Sequence, residues 1–369
     1  MPNINQQSIY NPAKTYKENF EKGPFAEFAA PITYSNSGTK MPFTFLGYPL
    51  FSPFGIPAGP LLNAKYVAST LAKGFDVVTY KTQRSTIFEV NAFPNVLYVD
   101  VDGDLTLEKA AQPLVGHPTT KAEPKDLTIT NSFGIPSTGP DYWVPDFKKA
   151  AAAAGRGQLV IMSVVGTIKP GFTAEDYYQD FADVTKMAAE AGAKAIEINL
   201  SCPNVANEGV LCYTPDAVGE ICRRAKAAAG PVPIITKIGY FNTDQQDLLE
   251  TVVSKMAPYV AAISSINTIA APVVDELGAQ ALPGPNRLKS GMCGAGIKWA
   301  GLEMTRRLAG LRDKLNLTYE IIGVGGVMTP ADYQEYRAAG ADVVQSATGA
   351  MWNADLAIEI KADMRRMQH

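Results

Sequence analysis

The chain has 369 residues, 46% of them apolar, with 33 Lys and Arg against 36 Asp and Glu and a formal net charge of −3. That length suits two or three average domains or one large α/β barrel. A near-balanced charge with no long basic run argues against nucleic acid as a partner.

Cys202, Cys212, Cys222 and Cys293 form no CxxC pair and no zinc or iron–sulfur spacing, so no metal site is expected. The first thirty residues are polar and charged, unlike a secretory signal, and no apolar run reaches the length of a membrane span. The expectation is a cytoplasmic protein with reduced thiols and no membrane contact. His117 and His369 are the two histidines. Proton transfer near neutral pH must therefore use His117 or a group of another type.

Residues 1–45 read as an N-terminal extension, and "FTFLGYPLFSPFGIPAG" suggests a small hairpin under a barrel that occupies 46–369. From residue 54, short β-branched apolar runs alternate with amphipathic, Ala-rich stretches. The expected strands are 54–59, 75–81, 159–166, 194–200, 233–238, 261–267, 320–326 and 342–349. The helical stretches are 173–191, 214–229, 243–256, 297–312, 329–339 and 355–367. Apolar strands separated by helices predict a parallel sheet. Eight such units predict a (β/α)8 TIM barrel, with a doubly wound open sheet as the alternative. Residues 82–158 are too long for an ordinary βα connection and read as an insertion after the second strand, with a helix near 140–154.

Catalytic groups of a barrel gather where strands end. Those ends hold Lys81, Asn199, Cys202, Lys237, Asn267, Gly325, Gly326 and Thr348. In "AKAIEINLSCPNV", period-two alternation turns Ile196 and Ile198 outward and Glu197 and Asn199 into the barrel. Buried polar groups there need partners. A satisfied polar layer is the reading for Glu197; for Asn199 that layer and a bound heterocycle remain equal alternatives. Lys81 and Lys237, set in apolar strands, either reach solvent or face a shared anion, such as the negative charge of a reduced flavin.

Three glycine-rich stretches follow: "SGMCGAGIK" opening a helix, "IIGVGGVMTPADY" at the seventh strand and "QSATGA" at the eighth. Backbone N–H groups in such loops bind phosphate. FMN fits better than a dinucleotide, because no GxGxxG opens a strand–helix unit with a downstream acid. Cys212, Cys222 and Cys293 read as small buried hydrophobes. Cys202 differs, lying in a strand-end loop before Pro203, where a thiol can act as general base. The following "NVANEGVLCYTP" reads as a lid.

"EINLSCPNV", "NSFGIPSTGPDYW", "GAGIK", "GVGGV" and "ATG" together resemble dihydroorotate dehydrogenase, over about residues 44–365. The soluble class 1 branch is most similar, in particular the fumarate-using type without an iron–sulfur subunit. The resemblance implies an FMN-dependent barrel enzyme, commonly a homodimer, that oxidises dihydroorotate to orotate in pyrimidine synthesis. It implies Cys202 as the base removing the C5 proton while hydride leaves C6 for flavin N5. Asn131, Asn199, Asn204, Asn267 and Thr268 would hold the pyrimidine, and the N–H groups of Phe133, Gly134 and Ile135 with Lys81 its carboxylate. Ala58, Gly59, Lys81, Thr82, Asn199 and Lys237 would meet the flavin, and Gly296, Gly325, Gly326 and Thr348 its phosphate.

The sequence departs from the family's habit in its longer N-terminus, in Thr268 for serine, and in Phe133 and Ser137 for Met and Asn. The alternatives are a dihydropyrimidine (uracil or thymine) dehydrogenase-like flavoenzyme and a phosphate-binding barrel without redox function, either a non-catalytic sensor or an aldolase-like enzyme in which Lys237 could form a Schiff base.

Overall fold

The computed structural model describes residues 3–30, 40–201 and 211–367. Eight parallel strands close a barrel in chain order: β1 (Phe54–Ile56), β2 (Val77–Gln83), β3 (Leu159–Val164), β4 (Ile196–Asn199), β5 (Ile234–Ile238), β6 (Ala262–Ser265), β7 (Glu320–Val324) and β8 (Val343–Gln345). All eight lie within the strands expected from sequence, apart from two added residues at the end of β2. β2 through β6 are buried at every position, as strands covered on both faces must be. β8 returns to β1 through Val344↔Phe54 and Gln345↔Gly55. At Gly55 a Cβ would lie 1.6 Å from the Val77 carbonyl oxygen, so this close approach of β1 to β2 requires glycine.

The helices between strands are α1 (Ala64–Ala72), α2 (Pro140–Ala152), α3 (Ala174–Glu190), α4 (Pro215–Ala229), α5 (Gln246–Met256), α6 (Lys298–Lys314), α7 (Pro330–Ala338) and α8 (Leu356–Arg366). Seven match the expected stretches; α1 falls where no element was expected. Capping boxes start two of them: Thr173 with Asp176 on α3, and Thr329 with Asp332 on α7. Ile196 and Ile198 join the apolar layer under these helices, while Ala195 faces the barrel floor.

That floor is closed by a hairpin, Phe43–Phe45 against Tyr48–Leu50, turning through Leu46 and Gly47 at φ of 50° and 80°. Two successive positive φ values suit the twist of a two-residue hairpin loop. Phe45 and Leu50 are fully buried against Val77, Leu159, Ile161, Ala195, Ile235, Ala262, Ile322 and Val343. The hairpin thus lies under the barrel, as the sequence suggests, and it straddles the 45/46 boundary.

The other mouth carries a structure that the sequence does not announce. Five short strands close a smaller sheet in the order Ile269–Val274, Lys289–Gly294, Thr128–Asn131, Tyr98–Val99, Leu114–His117. Three come from the insertion after β2 and two from the connection after β6. The stretch "SGMCGAGIK" is therefore half strand, and its glycines serve close packing. A Cβ at Gly291 would meet Thr268 Oγ1 at 2.3 Å, and one at Gly294 the Leu127 carbonyl at 2.0 Å.

Residues 3–30 also pack at this mouth. The Ile9 N–H donates to the Met351 carbonyl, Trp352 Nε1 donates to the Ile4 carbonyl, and the Tyr98 hydroxyl donates to Asn5. No helix among the described residues is long and apolar enough to cross a membrane.

Candidate active site

Two adjoining hollows open at the C-terminal ends of the barrel strands. Their walls share Ala58, Gly59, Asn131, Phe133, Asn267 and Thr268. Lys237, Cys293 and Thr348 also line the first; Lys81, Thr82, Gly134, Ile135 and Asn199 complete the second. The barrel and the insertion thus bring thirteen of the expected site residues to one place. Cys202 and Asn204 lie outside the described residues.

Below the hollows the barrel is lined by a polar layer. Thr82 Oγ1 and Ser163 Oγ are 2.9 Å apart, and Ser163 donates to Glu197 Oε1 at 3.0 Å. Lys237 Nζ donates to Ser264 Oγ at 3.2 Å. Burial raises the Glu197 pKa while the Lys237 ammonium opposes the shift, and burial lowers the Lys237 pKa against the pull of Glu197. The layer is incompletely satisfied, since Glu197 Oε2 has no described protein partner. Asn199 Oδ1 accepts from the Ser201 N–H at 3.1 Å, and Asn267 Nδ2 donates to the Ser201 carbonyl. The end of β4 is therefore anchored immediately before position 202.

The segment 131–137 turns sharply. Gly134 and Ile135 have φ of 79° and 50°, left-handed in succession. Two successive positive φ values make a tight turn, a backbone conformation whose N–H groups can receive an anion. The N–H groups of Phe133, Gly134 and Ile135 donate to no described protein acceptor, and Lys81 lines the same hollow.

Some placements differ from expectation. Gly296 is outside both walls: its N–H donates to Thr128 Oγ1 at 3.1 Å and its carbonyl accepts from the Leu105 N–H at 2.8 Å. The adjoining strand pairing commits that backbone. Gly325 and Gly326 directly follow Val324, which lines the first hollow. A Cβ at Gly326 would reach the Lys298 N at 2.6 Å, so these glycines permit contact between the β7 loop and α6.

Cys212 and Cys222 are fully buried, as expected, and burial pushes both thiols up to about 12. Cys293 is instead partly exposed in the wall of the first hollow, and burial pushes its thiol up to about 12 against the pull of Lys237. His117 lies in neither wall; it sits between Asp100 and Glu276 at 3.4 and 3.5 Å. Tyr10 was missed altogether. It is 2% exposed, lines the first hollow, and meets Phe133 edge-on at 5.4 Å between ring centres. No strand-end or glycine pattern marks it.

The sequence profile of the dihydroorotate dehydrogenase family matches residues 105–367. A dihydroorotate dehydrogenase of Dictyostelium discoideum is 36% identical over 358 residues, covering 95% of this chain and 96% of its own. The chain belongs to the dihydroorotate dehydrogenase family.

Dihydroorotate dehydrogenase A (fumarate) of Lactiplantibacillus plantarum is 29% identical over 64% of this chain and 71% of its own. The catalytic subunit of dihydroorotate dehydrogenase B (NAD(+)) of Geobacter sulfurreducens is 27% identical over 71% and 79%. The fold is similar to a crystal structure of the Eimeria tenella enzyme in complex with ferulenol, with a TM-score of 0.71 at 17% identity, covering 92% of this chain and 87% of that one.

Dihydroorotate dehydrogenases are flavin-dependent, and the site has unmet polar groups suited to such a guest. Thr268 Oγ1 and Thr348 Oγ1 are buried without a described partner, and both residues line the first hollow. Buried hydroxyls normally find partners, so these two fit contact with a bound polar group.

Proposed function

We propose that this protein oxidises dihydroorotate to orotate in pyrimidine biosynthesis, with FMN as cofactor. The observation that carries the reading is the turn at Phe133–Ile135. It opens, beside Lys81, into the hollow that Asn131, Asn199 and Asn267 also line. A backbone anion site next to amides matches a molecule with a carboxylate and alternating C=O and N–H groups. Uracil and thymine have no carboxylate to use that turn, so it favours dihydroorotate over them.

Bound FMN supplies the hydride acceptor. Cys202 would take the C5 proton as general base. Asn131, Asn199, Asn204, Asn267 and Thr268 hold the ring, and the turn and Lys81 hold the carboxylate. Ala58, Gly59, Thr82 and Lys237 would adjoin the flavin. The Lys237 ammonium would stabilise negative charge on it. Thr348, with Gly325 and Gly326, would serve the phosphate. We read fumarate as the oxidant and the assembly as a cytoplasmic homodimer, by similarity to the soluble fumarate-using branch.

Anaerobic mixing with dihydroorotate should bleach the flavin absorbance of the purified protein, and dihydrouracil should bleach it at least tenfold more slowly. Cys202→Ala should slow bleaching by orders of magnitude with FMN retained. Equal rates with both substrates would move the assignment to a dihydropyrimidine dehydrogenase, and an unimpaired Cys202→Ala would remove that thiol from the chemistry. Reoxidation by fumarate, measured against NAD(+) and a quinone, tests the acceptor.

A further inference from the structure

The interior of the barrel holds a carboxyl for which the proposed chemistry has no use. Glu197 on β4 is 1% exposed; it accepts one bond, from Ser163 at 3.0 Å, and its second oxygen is buried with no described partner. Lys237 on the adjoining β5 is 6% exposed, lines the first hollow, and donates to Ser264 Oγ at 3.2 Å. A path of hydroxyls joins this carboxyl to the second hollow. Thr82 lines that hollow, its Oγ1 lies 2.9 Å from Ser163 Oγ, and Ser163 donates to Glu197.

Few charges compete here. Lys237 is the charged group that acts on Glu197. β3 and β6 present the neutral hydroxyls of Ser163 and Ser264, and β2 that of Thr82, while Lys81 on β2 lines the second hollow. β1 and β8 contain no titratable residue, and Glu320 on β7 accepts from the Leu46 N–H at the barrel floor. Cys293, from the smaller sheet, acts on Lys237, and burial pushes its thiol up to about 12.

A buried acid and base are tolerable when their charges cancel. Carboxylate with ammonium, and neutral acid with neutral amine, carry the same number of protons and the same net charge of zero. Negative charge arriving beside Lys237 upsets that balance, and one more proton on the pair restores it.

We infer that Glu197 and Lys237 together bind one proton whenever the flavin beside Lys237 is reduced, and release it on reoxidation. Two electrons and one proton give the flavin one negative charge. The second proton comes from solvent in the hollow, passes Thr82 and Ser163, and leaves the pair as neutral acid beside ammonium. The interior then has the same net charge in both states. Glu197 acts through Lys237 and sets the potential at which the cofactor works. This inference rests on the proposed binding of FMN but not on the identity of the substrate.

Redox titration of the holoenzyme against reference dyes, from about pH 5 to about pH 9, checks it. For two electrons, each proton bound moves the midpoint potential by about 30 mV per tenfold change in proton activity. The wild type should show about 60 mV per pH unit over a stretch at least about one unit wide, and about 30 mV elsewhere. Glu197→Gln has no carboxyl to protonate, so the steep stretch should vanish from that pH range. A wild type at about 30 mV throughout, or a steep stretch unmoved in Glu197→Gln, overturns the inference.

Should Glu197→Gln fail to fold, Ser163→Ala removes a bond that favours the charged carboxyl, and the steep stretch should move to higher pH. An unmoved stretch overturns the inference there too. A purified protein that takes up no FMN defeats the proposed function itself. A flavoprotein with a single slope defeats only the role of Glu197 and Lys237.

Discussion

Glu197 and Lys237 share the interior of the barrel, and burial holds each away from its charged form. With its pKa raised, the folded protein keeps the Glu197 proton at pH values where the unfolded chain, near 4.5, has released it. Stability therefore falls as pH climbs from about 4.5 through the raised value. Lys237 acts with the opposite sign: the unfolded chain binds its proton up to about 10.5, so stability rises as pH climbs from the depressed value towards 10.5. Glu197→Gln should flatten the acidic limb, and urea midpoints measured across that range check it; an unchanged slope refutes the assignment. Asn199, Lys81 and Lys237 could be read from sequence because a strand's end and its alternation fix where a side chain points. Tyr10 and Cys293 could not. One reaches the cavity from outside the barrel pattern, and the other sits on a strand one of whose two partners lies more than 150 residues away.

Among the elements, the basal hairpin adds two large side chains to a floor otherwise made by the strands themselves. Phe45→Ala should cost about 3–5 kcal/mol in denaturant unfolding, the usual cost of emptying an aromatic site in a packed core. It should leave FMN content unchanged, because the hairpin lies at the opposite end from the hollows. At α3, Thr173→Ala removes the hydroxyl that accepts from the Asp176 N–H and should cost about 1 kcal/mol; the same unfolding measurement checks it. The eight barrel strands were legible because continuous β-branched apolar runs have few other uses. The smaller sheet was not, since Tyr98–Val99 has only two residues and Lys289–Gly294 is rich in glycine. Its order is set by pairing between distant segments, to which local periodicity is blind.

At the scale of the molecule, the ends of the barrel are joined twice. Gly55 lets β1 reach β2 while pairing with β8, and Gly55→Ala should abolish soluble folded protein, since backbone rather than a yielding side chain blocks the new methyl. Lys361 on α8 meets Asp76, the residue before β2, at 2.7 Å, both nearly or fully buried. Ser52 Oγ adds a bond to the same carboxylate at 2.6 Å. Lys361→Met strands a buried carboxylate and should cost about 3–5 kcal/mol, whereas pairing it with Asp76→Asn should recover much of that. Thermal unfolding of the single and double variants checks both.

The interlaced strands above the mouth bear on how such a protein can be recombined. The 82–158 and 268–296 stretches each pair within themselves and also find hydrogen-bonding neighbours in the other. A chimera that borrows one without the other inherits half a weave. The two should therefore be exchangeable between relatives only as a matched set.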